Sequence, residues 1–169
     1  MIMKRLITAF IAFTLLSTSF GQESGKDKKL PGVQLKDMNG KVVNTSELAA
    51  KGPVIISFWA TWCSPCKREL NTIHEVYQDW QEEFGVTLVA VSIDDEKTKN
   101  SVPVYVNGRA WEYVVLMDTN SDFRRAMGVN NVPHTFLVNK DGTIVYSHNN
   151  YAPGDEELLY QELINLSKK

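Results

Sequence analysis

The chain has 169 residues, 43% of them hydrophobic and 22% charged, and a formal net charge of −2. That length fits one ordinary domain with a short N-terminal appendage, and the composition is that of a globular chain, which argues against disorder throughout. A charge so near neutrality is no signature of a nucleic-acid binder or of a protein held on an anionic membrane surface, and the chain carries neither an internal repeat nor a long low-complexity tract.

The first residues read as an address. Lys4 and Arg5 form a basic start, Leu6 to Leu16 is apolar but for Thr8 and Thr14, and Ser17 to Gly21 is short, with Ser19 and Gly21 at the positions that precede a cut. This pattern predicts a secretory signal over residues 1–21, cleaved near Gly21–Gln22, and hence an exported, periplasmic or otherwise extracytoplasmic protein. The alternative is an uncleaved membrane anchor, although the apolar run is short for a span. No cysteine follows the run, so a lipoprotein attachment lacks its acceptor. Residues 22–29, with Lys26, Asp27, Lys28 and Lys29, predict a polar tether, and residues 30–169 the domain.

An exported chain is free to carry structural disulfides, yet the two cysteines, Cys63 and Cys66, stand only three apart. Closing so small a ring constrains the unfolded chain by roughly 2 kcal/mol, which a domain of this size hardly needs. The spacing favours reactivity over stapling.

In chain order, Val33 to Lys36 predicts an edge strand, and Met38-Asn39-Gly40-Lys41 a turn. Ser46 is placed to cap a short helix through Ala50, broken by Lys51-Gly52-Pro53. Val54 to Trp59 is a continuous apolar run, as in a central strand buried on both faces. A helix follows over 65–84, with Cys66, Leu70, Ile73, Tyr77, Trp80 and Phe84 on one stripe, and Gly85 ends it. Val86 to Ile93 predicts the next strand, parallel to the first across a βαβ unit. Residues 96–108 have helical character weakened by Pro103, Tyr113 to Met117 reads as a strand, and Ser121 to Met127 as a short helix. Thr135 to Val138 and Thr143 to Tyr146 flank a hairpin turn at Asp141-Gly142. Residues 155–166 close the chain as a helix with a Leu158, Leu159, Leu163 and Ile164 stripe.

This order places Cys63 between an apolar strand and a helix. Its sulfur there meets free backbone N–H groups and the positive helix end, both of which favour thiolate, the attacking species. Cys66, one turn on and on the buried stripe, is placed to attack a mixed disulfide at Cys63 and release the reduced substrate. Pro65 suits the first helical turn. Trp59 and Trp62 either wall the sulfurs or pack into the core. A zinc reading has Cys63 and Cys66 as half a site, with His74, His134 and His148 as candidates for the rest, but no second close ligand pair is present. Cu(I) on the two thiolates is the other metal reading.

Phe58-Trp59-Ala60-Thr61-Trp62-Cys63-Ser64-Pro65-Cys66-Lys67, followed by Val132-Pro133-His134-Thr135-Phe136-Leu137-Val138, resembles the two landmarks of thioredoxin-fold proteins. Within that fold the chain is most similar to the exported TlpA/ResA-like thiol-disulfide oxidoreductases, over residues 30–169. The resemblance implies a three-layer α/β fold, a central mixed sheet flanked by helices with an N-terminal extension. It implies a cis-proline at Pro133 lying against the active-site disulfide, with Val132 offering its backbone to an incoming peptide. Trp62, Pro65, Val132 and Pro133 are thus the candidate substrate-contacting residues. His134 either tunes the sulfurs or is a solvent-facing or satisfied imidazole.

Thioredoxin itself carries a buried aspartate six residues before its first active-site cysteine, and here that position is Ser57. The TlpA/ResA-like group has a glutamate three residues after the second cysteine, and here that is Glu69. Cys66 and Glu69 are neighbours on one helix face, so Glu69 joins Cys63 and Cys66 as a candidate catalytic residue that takes the Cys66 proton. The competing reading is a solvated glutamate near Lys67 and Arg68.

No histidine lies between the sulfurs to stabilise the thiolate, which leans toward a reductant rather than a strong oxidant. The expected function is an extracytoplasmic reductase of protein disulfides, with apocytochrome c maturation as one destination, a membrane thiol as electron donor implied by the resemblance, and no cofactor beyond the cysteine pair. Alternatives are an oxidase or isomerase on the same fold, or a non-enzymatic chaperone or copper metallochaperone. Neither cysteine lies in the Pro-x-x-x-Thr-x-x-Cys setting of a peroxiredoxin.

Overall fold

The structure, a computed structural model, describes residues 28–168. The expected signal segment therefore lies outside the described residues, as does the expected tether up to Asp27. Its last two residues are not a free tether. The Lys28 carbonyl accepts from the Ile144 N–H at 2.9 Å, and the Leu30 N–H donates to the Gly142 carbonyl at 2.8 Å. The Lys29 ammonium reaches Thr143 Oγ1 at 2.8 Å and the Asp141 carbonyl at 3.0 Å.

Seven strands form one sheet: β1 (Gln34–Asp37), β2 (Val42–Asn44), β3 (Val54–Trp59), β4 (Thr87–Ser92), β5 (Val114–Met117), β6 (His134–Val138) and β7 (Ile144–Asn149). Their spatial order is β2-β1-β5-β4-β3-β6-β7. β3, β4 and β5 are parallel, and the remaining pairs are antiparallel. All six residues of β3 are buried, as a strand with neighbours on both sides and helices on both faces must be. Successive side chains of β3 point to opposite faces. Phe58 meets Phe123 and Phe136 on one face, while Trp59 meets Tyr105 and Trp111 on the other.

Among the described residues the α-helices are α1 (Ser64–Phe84), α2 (Ser101–Gly108), α3 (Asp122–Met127) and α4 (Asp155–Ser167). α1 follows β3 after a four-residue loop and returns the chain to the parallel strand β4, a crossover that βαβ units make right-handed. It buries Cys66, Glu69, Leu70, Ile73, Tyr77 and Trp80, the expected stripe with one acid added and with its last member, Phe84, only partly buried. Gly85 takes φ 63° at its C-terminus and returns an N–H to the Gln81 carbonyl.

Several boundaries differ from expectation for local reasons. The segment Thr45–Lys51 is a 3-10 helix capped by Asn44, whose side chain accepts from the Ser46 N–H, so Ser46 is not the cap. β2 was not expected: it is three residues long, too short for its alternation to register. α2 begins only at Ser101 because Asp95 holds the preceding turn, accepting from the Lys97 and Thr98 amides. Pro103 is harmless there, being in the first turn where no donor is required. On α4, Leu159 and Leu163 are buried but Leu158 is 52% exposed, so Leu158 is not part of the covering stripe.

Leu70→Ala removes a fully buried side chain from α1 and is expected to cost about 2–5 kcal/mol. Leu158→Ala, on the exposed face of α4, is expected to stay within ~0.5 kcal/mol. Urea unfolding midpoints of the two variants check the contrast.

Candidate active site

The loop from β3 to α1 is held from beneath by one buried acid. Asp94 is fully buried. It accepts from the Thr61 N–H at 2.9 Å, the Thr61 hydroxyl at 2.6 Å and the Ser92 hydroxyl at 2.9 Å. Cys63 then turns back, its N–H donating to the Ala60 carbonyl at 3.0 Å, and becomes the N-cap of α1. Its sulfur accepts from the Cys66 N–H at 3.3 Å, one of the orphan donors that every helix start presents. Pro65 sits in that first turn.

Cys63 and Cys66 are joined in a disulfide, with Cα atoms 5.4 Å apart. Cys63 keeps 6% of its surface exposed and Cys66 none, so only Cys63 can be met by an incoming sulfur. Trp62, beside it, is 60% exposed. Trp59, by contrast, is wholly buried and packs edge-on to Trp111; of the two readings offered for it, core packing is the one that its surroundings show.

A second loop comes to the same place. The Val132–Pro133 peptide is cis, and the Val132 carbonyl oxygen lies 3.7 Å from Cys63 Sγ. The loop is pinned on both sides. The Pro133 carbonyl accepts from the Asn150 N–H at 2.8 Å, and the Arg124 guanidinium donates to the Val129 and Asn130 carbonyls at 3.1 and 2.6 Å. Arg124 and Asp94 were not singled out from the sequence. Neither has a motif, and each acts by satisfying backbone or hydroxyl groups that only the fold brings near.

Glu69 is the group that the architecture treats most unusually. It is 5% exposed, so the reading of a solvated surface charge does not apply. Its Oε1 accepts from the Thr135 hydroxyl at 2.7 Å and its Oε2 from the Ser57 hydroxyl at 3.2 Å. Thr135 and Ser57 are also 3.1 Å from each other, being register partners on β6 and β3. Loss of solvent pushes the carboxyl from an ordinary 4.5 up to about 7. The Thr135 and Ser57 hydrogen bonds oppose that rise, and the charge of Asp155 adds to it. A carboxyl with its midpoint near neutrality, one helical turn beyond Cys66, is suited to proton exchange in either direction.

The histidines are dispersed. His134 stacks on Phe136 with ring centroids 4.2 Å apart, and burial, then the charges of His148 and Lys28, push its pKa down. His74 packs against Tyr113, and His148 Nε2 lies 3.0 Å from Asp155 Oδ2. Among the described residues, no group of three or more His, Cys, Asp or Glu side chains is gathered to hold a metal ion.

Residues 27–147 match the AhpC/TSA family. The chain belongs to this family. It is 33% identical over 137 residues to the thiol-disulfide oxidoreductase ResA of Bacillus subtilis, covering 80% of this chain and 74% of that one. It is 30% identical over 142 residues to ResA of Bacillus thuringiensis, covering 83% and 80%. Among solved structures, a thioredoxin-like protein from Porphyromonas gingivalis superimposes with a TM-score of 0.74 at 49% identity, covering 82% of this chain and 92% of that one. A putative thiol:disulfide interchange protein DsbE from Chlorobium tepidum gives a TM-score of 0.73 at 26% identity, covering 83% and 96%. The chain is thus a thiol-disulfide oxidoreductase of the thioredoxin fold, with Cys63 and Cys66 as its Cys-x-x-Cys pair.

The raised pKa of Glu69 has a consequence for stability. Its folded value, about 7, lies above the 4.5 of an unperturbed carboxyl. Its contribution is therefore fully present below about pH 4.5 and is lost as pH rises through about 7. The loss is on the order of 3 kcal/mol. Urea unfolding of wild type and Glu69→Gln between pH 4.5 and 8 should show the wild type falling relative to the variant; parallel curves would contradict this.

Proposed function

We propose that this protein is an exported reductase of protein disulfides, working through the Cys63–Cys66 dithiol with no further cofactor. The observation that carries the reading is Glu69: a buried, neutral-range carboxyl one turn past the inaccessible cysteine, in a chain whose relatives are named thiol-disulfide oxidoreductases.

Cys63, as thiolate, attacks one sulfur of the substrate disulfide. A Cys63–substrate S–S bond forms, the substrate bond breaks, and its other sulfur leaves as thiolate and takes a proton. Cys66 then passes its proton to Glu69 and attacks Cys63 Sγ. The Cys63–Cys66 bond forms, the mixed disulfide breaks, and the second substrate sulfur leaves. Two electrons have moved from the dithiol to the substrate.

Val132, Pro133, Trp62 and Pro65 would dock the peptide. The exposed Trp62 offers apolar surface, and the Val132 carbonyl beside Cys63 offers a backbone acceptor. A membrane thiol protein would return the electrons. Apocytochrome c is a fitting substrate, because its Cys-x-x-Cys-His segment must be reduced before haem attaches.

The direction rests on the absence of a histidine between the sulfurs, which leaves the Cys66 amide as the donor to Cys63. Equilibration of residues 22–169 with glutathione or dithiothreitol buffers measures it. A potential below about −250 mV is expected, whereas one near the −120 mV of DsbA would make the protein an oxidase. The Glu69 role is checked separately by the pH dependence of mixed-disulfide resolution. Glu69→Gln should slow resolution about 10²-fold near pH 7 and remove the limb centred near the wild-type carboxyl; an unchanged profile overturns the role.

A further inference from the structure

A proton delivered to Glu69 has to leave before the next cycle, yet Cys66 is wholly enclosed and Glu69 almost so. A cavity of about 10 Å³ lies against the Glu69 carboxyl, close to the smallest space that holds a water. Ile73 and Leu159 give this cavity dry walls, and Thr135 is shared with the Glu69 hydrogen bonds.

The polar groups on its other sides come from β7 and α4: Tyr146, His148, Asp155 and Glu156. Glu156 Oε2 accepts from the Tyr151 hydroxyl at 3.0 Å and the Gly154 N–H at 3.1 Å, and Asp155 Oδ2 accepts from the Ala152 N–H at 2.6 Å. His148 and Asp155 bond each other at 3.0 Å, and their side chains are 30% and 23% exposed. This pair therefore touches both the cavity and bulk water. Two further titratable groups act on these by charge rather than contact: His134 on β6, which projects from the opposite face of the sheet, on His148, and Tyr151, in the β7–α4 connection, on Glu69.

We propose that the His148–Asp155 pair is the proton outlet of Glu69, with a single water in the cavity as the bridge. The inference rests on the reading of Glu69 as proton acceptor from Cys66. The Glu69 carboxyl gives its proton to the water, the water gives one to the pair, and the pair releases it to solvent; uptake runs the same path backward. No electrons move in these steps. His148 and Asp155 touch neither sulfur, so they are positioning residues that act through Glu69.

The test reads Glu69 itself. In reduced protein below neutral pH, the carboxyl C=O stretch, assigned by its loss in Glu69→Gln, shifts as its proton exchanges after rapid mixing into D₂O. In wild type the shift should be much faster than deuteration of the α1 amides, which reports opening of the helix. His148→Ala, at a half-exposed position on the edge strand, should slow the carboxyl exchange about ten-fold while leaving α1 amide exchange unchanged. Added imidazole should restore the rate. Asp155→Asn should slow exchange as well, and it carries the test if His148→Ala folds poorly. Carboxyl exchange unchanged in both variants, slowed without rescue by imidazole, or no faster than the amides in wild type overturns the outlet. Failure of the Glu69 role shows up elsewhere, as an unchanged pH profile of resolution in Glu69→Gln.

Discussion

The arrangement turns on one carboxyl group buried between a helix and a sheet. Burying an ionised carboxylate is costly unless partners replace its water, and here the replacement is partial. Two hydroxyls, Ser57 and Thr135, bind Glu69 at its two oxygens, and among the described residues no cationic side chain is bonded to it. That incompleteness is the point: enough polarity is present to tolerate the anion, too little to favour it strongly, so the group titrates near neutrality. A lysine or arginine partner would have pulled the value far down and left a permanent anion beside Cys66.

The two hydroxyls meet at Glu69 because of sheet register. β3 and β6 pair antiparallel with Ser57 opposite Thr135, so the hydroxyls project from one face of neighbouring strands toward α1. A one-residue slip of either strand would turn its hydroxyl to the opposite face, where Phe58 and Phe123 pack. The same register brings His134 beside Phe58 and so sets the approach of the cis Val132–Pro133 peptide to the sulfurs. The disulfide, the cis Val132–Pro133 loop and the acid are therefore positioned by three adjacent elements, β3, α1 and β6. Asp94 and Arg124 fasten the two loops that join them.

Much of this was legible in the sequence because the signals were strong and local. The βαβ unit follows from an apolar run, a long stripe and a glycine stop; the cysteine pair at a helix start follows from spacing; Glu69 is singled out by the family resemblance, which implies a glutamate three residues after the second cysteine. The rest was hidden for identifiable reasons. Ser57 reads as a departure from thioredoxin, where an acid stands, and its service to Glu69 depends on a pairing between residues 78 positions apart. Thr135 looks like any β-branched strand residue. Asp94 and Arg124 act on backbone groups, a role that leaves no pattern of spacing. β2 and the 3-10 segment are too short for periodicity to speak, and Leu158 shows that an apolar residue at helical spacing still needs a surface to face.

Ser57 and Glu69 are best understood together. In thioredoxin the acid is carried by the strand, at the position that Ser57 occupies here. In this protein the acid hangs from the helix, and the strand supplies a hydroxyl 3.2 Å from it. The carboxyl here therefore lies between β3 and α1 but is held by the helix. Moving it to α1 has a mechanical consequence. Cys66 and Glu69 now share one helix, one turn apart, so their relation is set by helical geometry rather than by how the helix docks on the sheet. A displacement of α1 on the sheet would carry Cys66 and Glu69 together, and would instead stretch the bonds to Ser57 and Thr135. Those bonds favour the charged form of Glu69. Weakening them raises the carboxyl's affinity for a proton, so its protonation is tied to how α1 docks on the sheet rather than to the spacing of Cys66 and Glu69 along the helix.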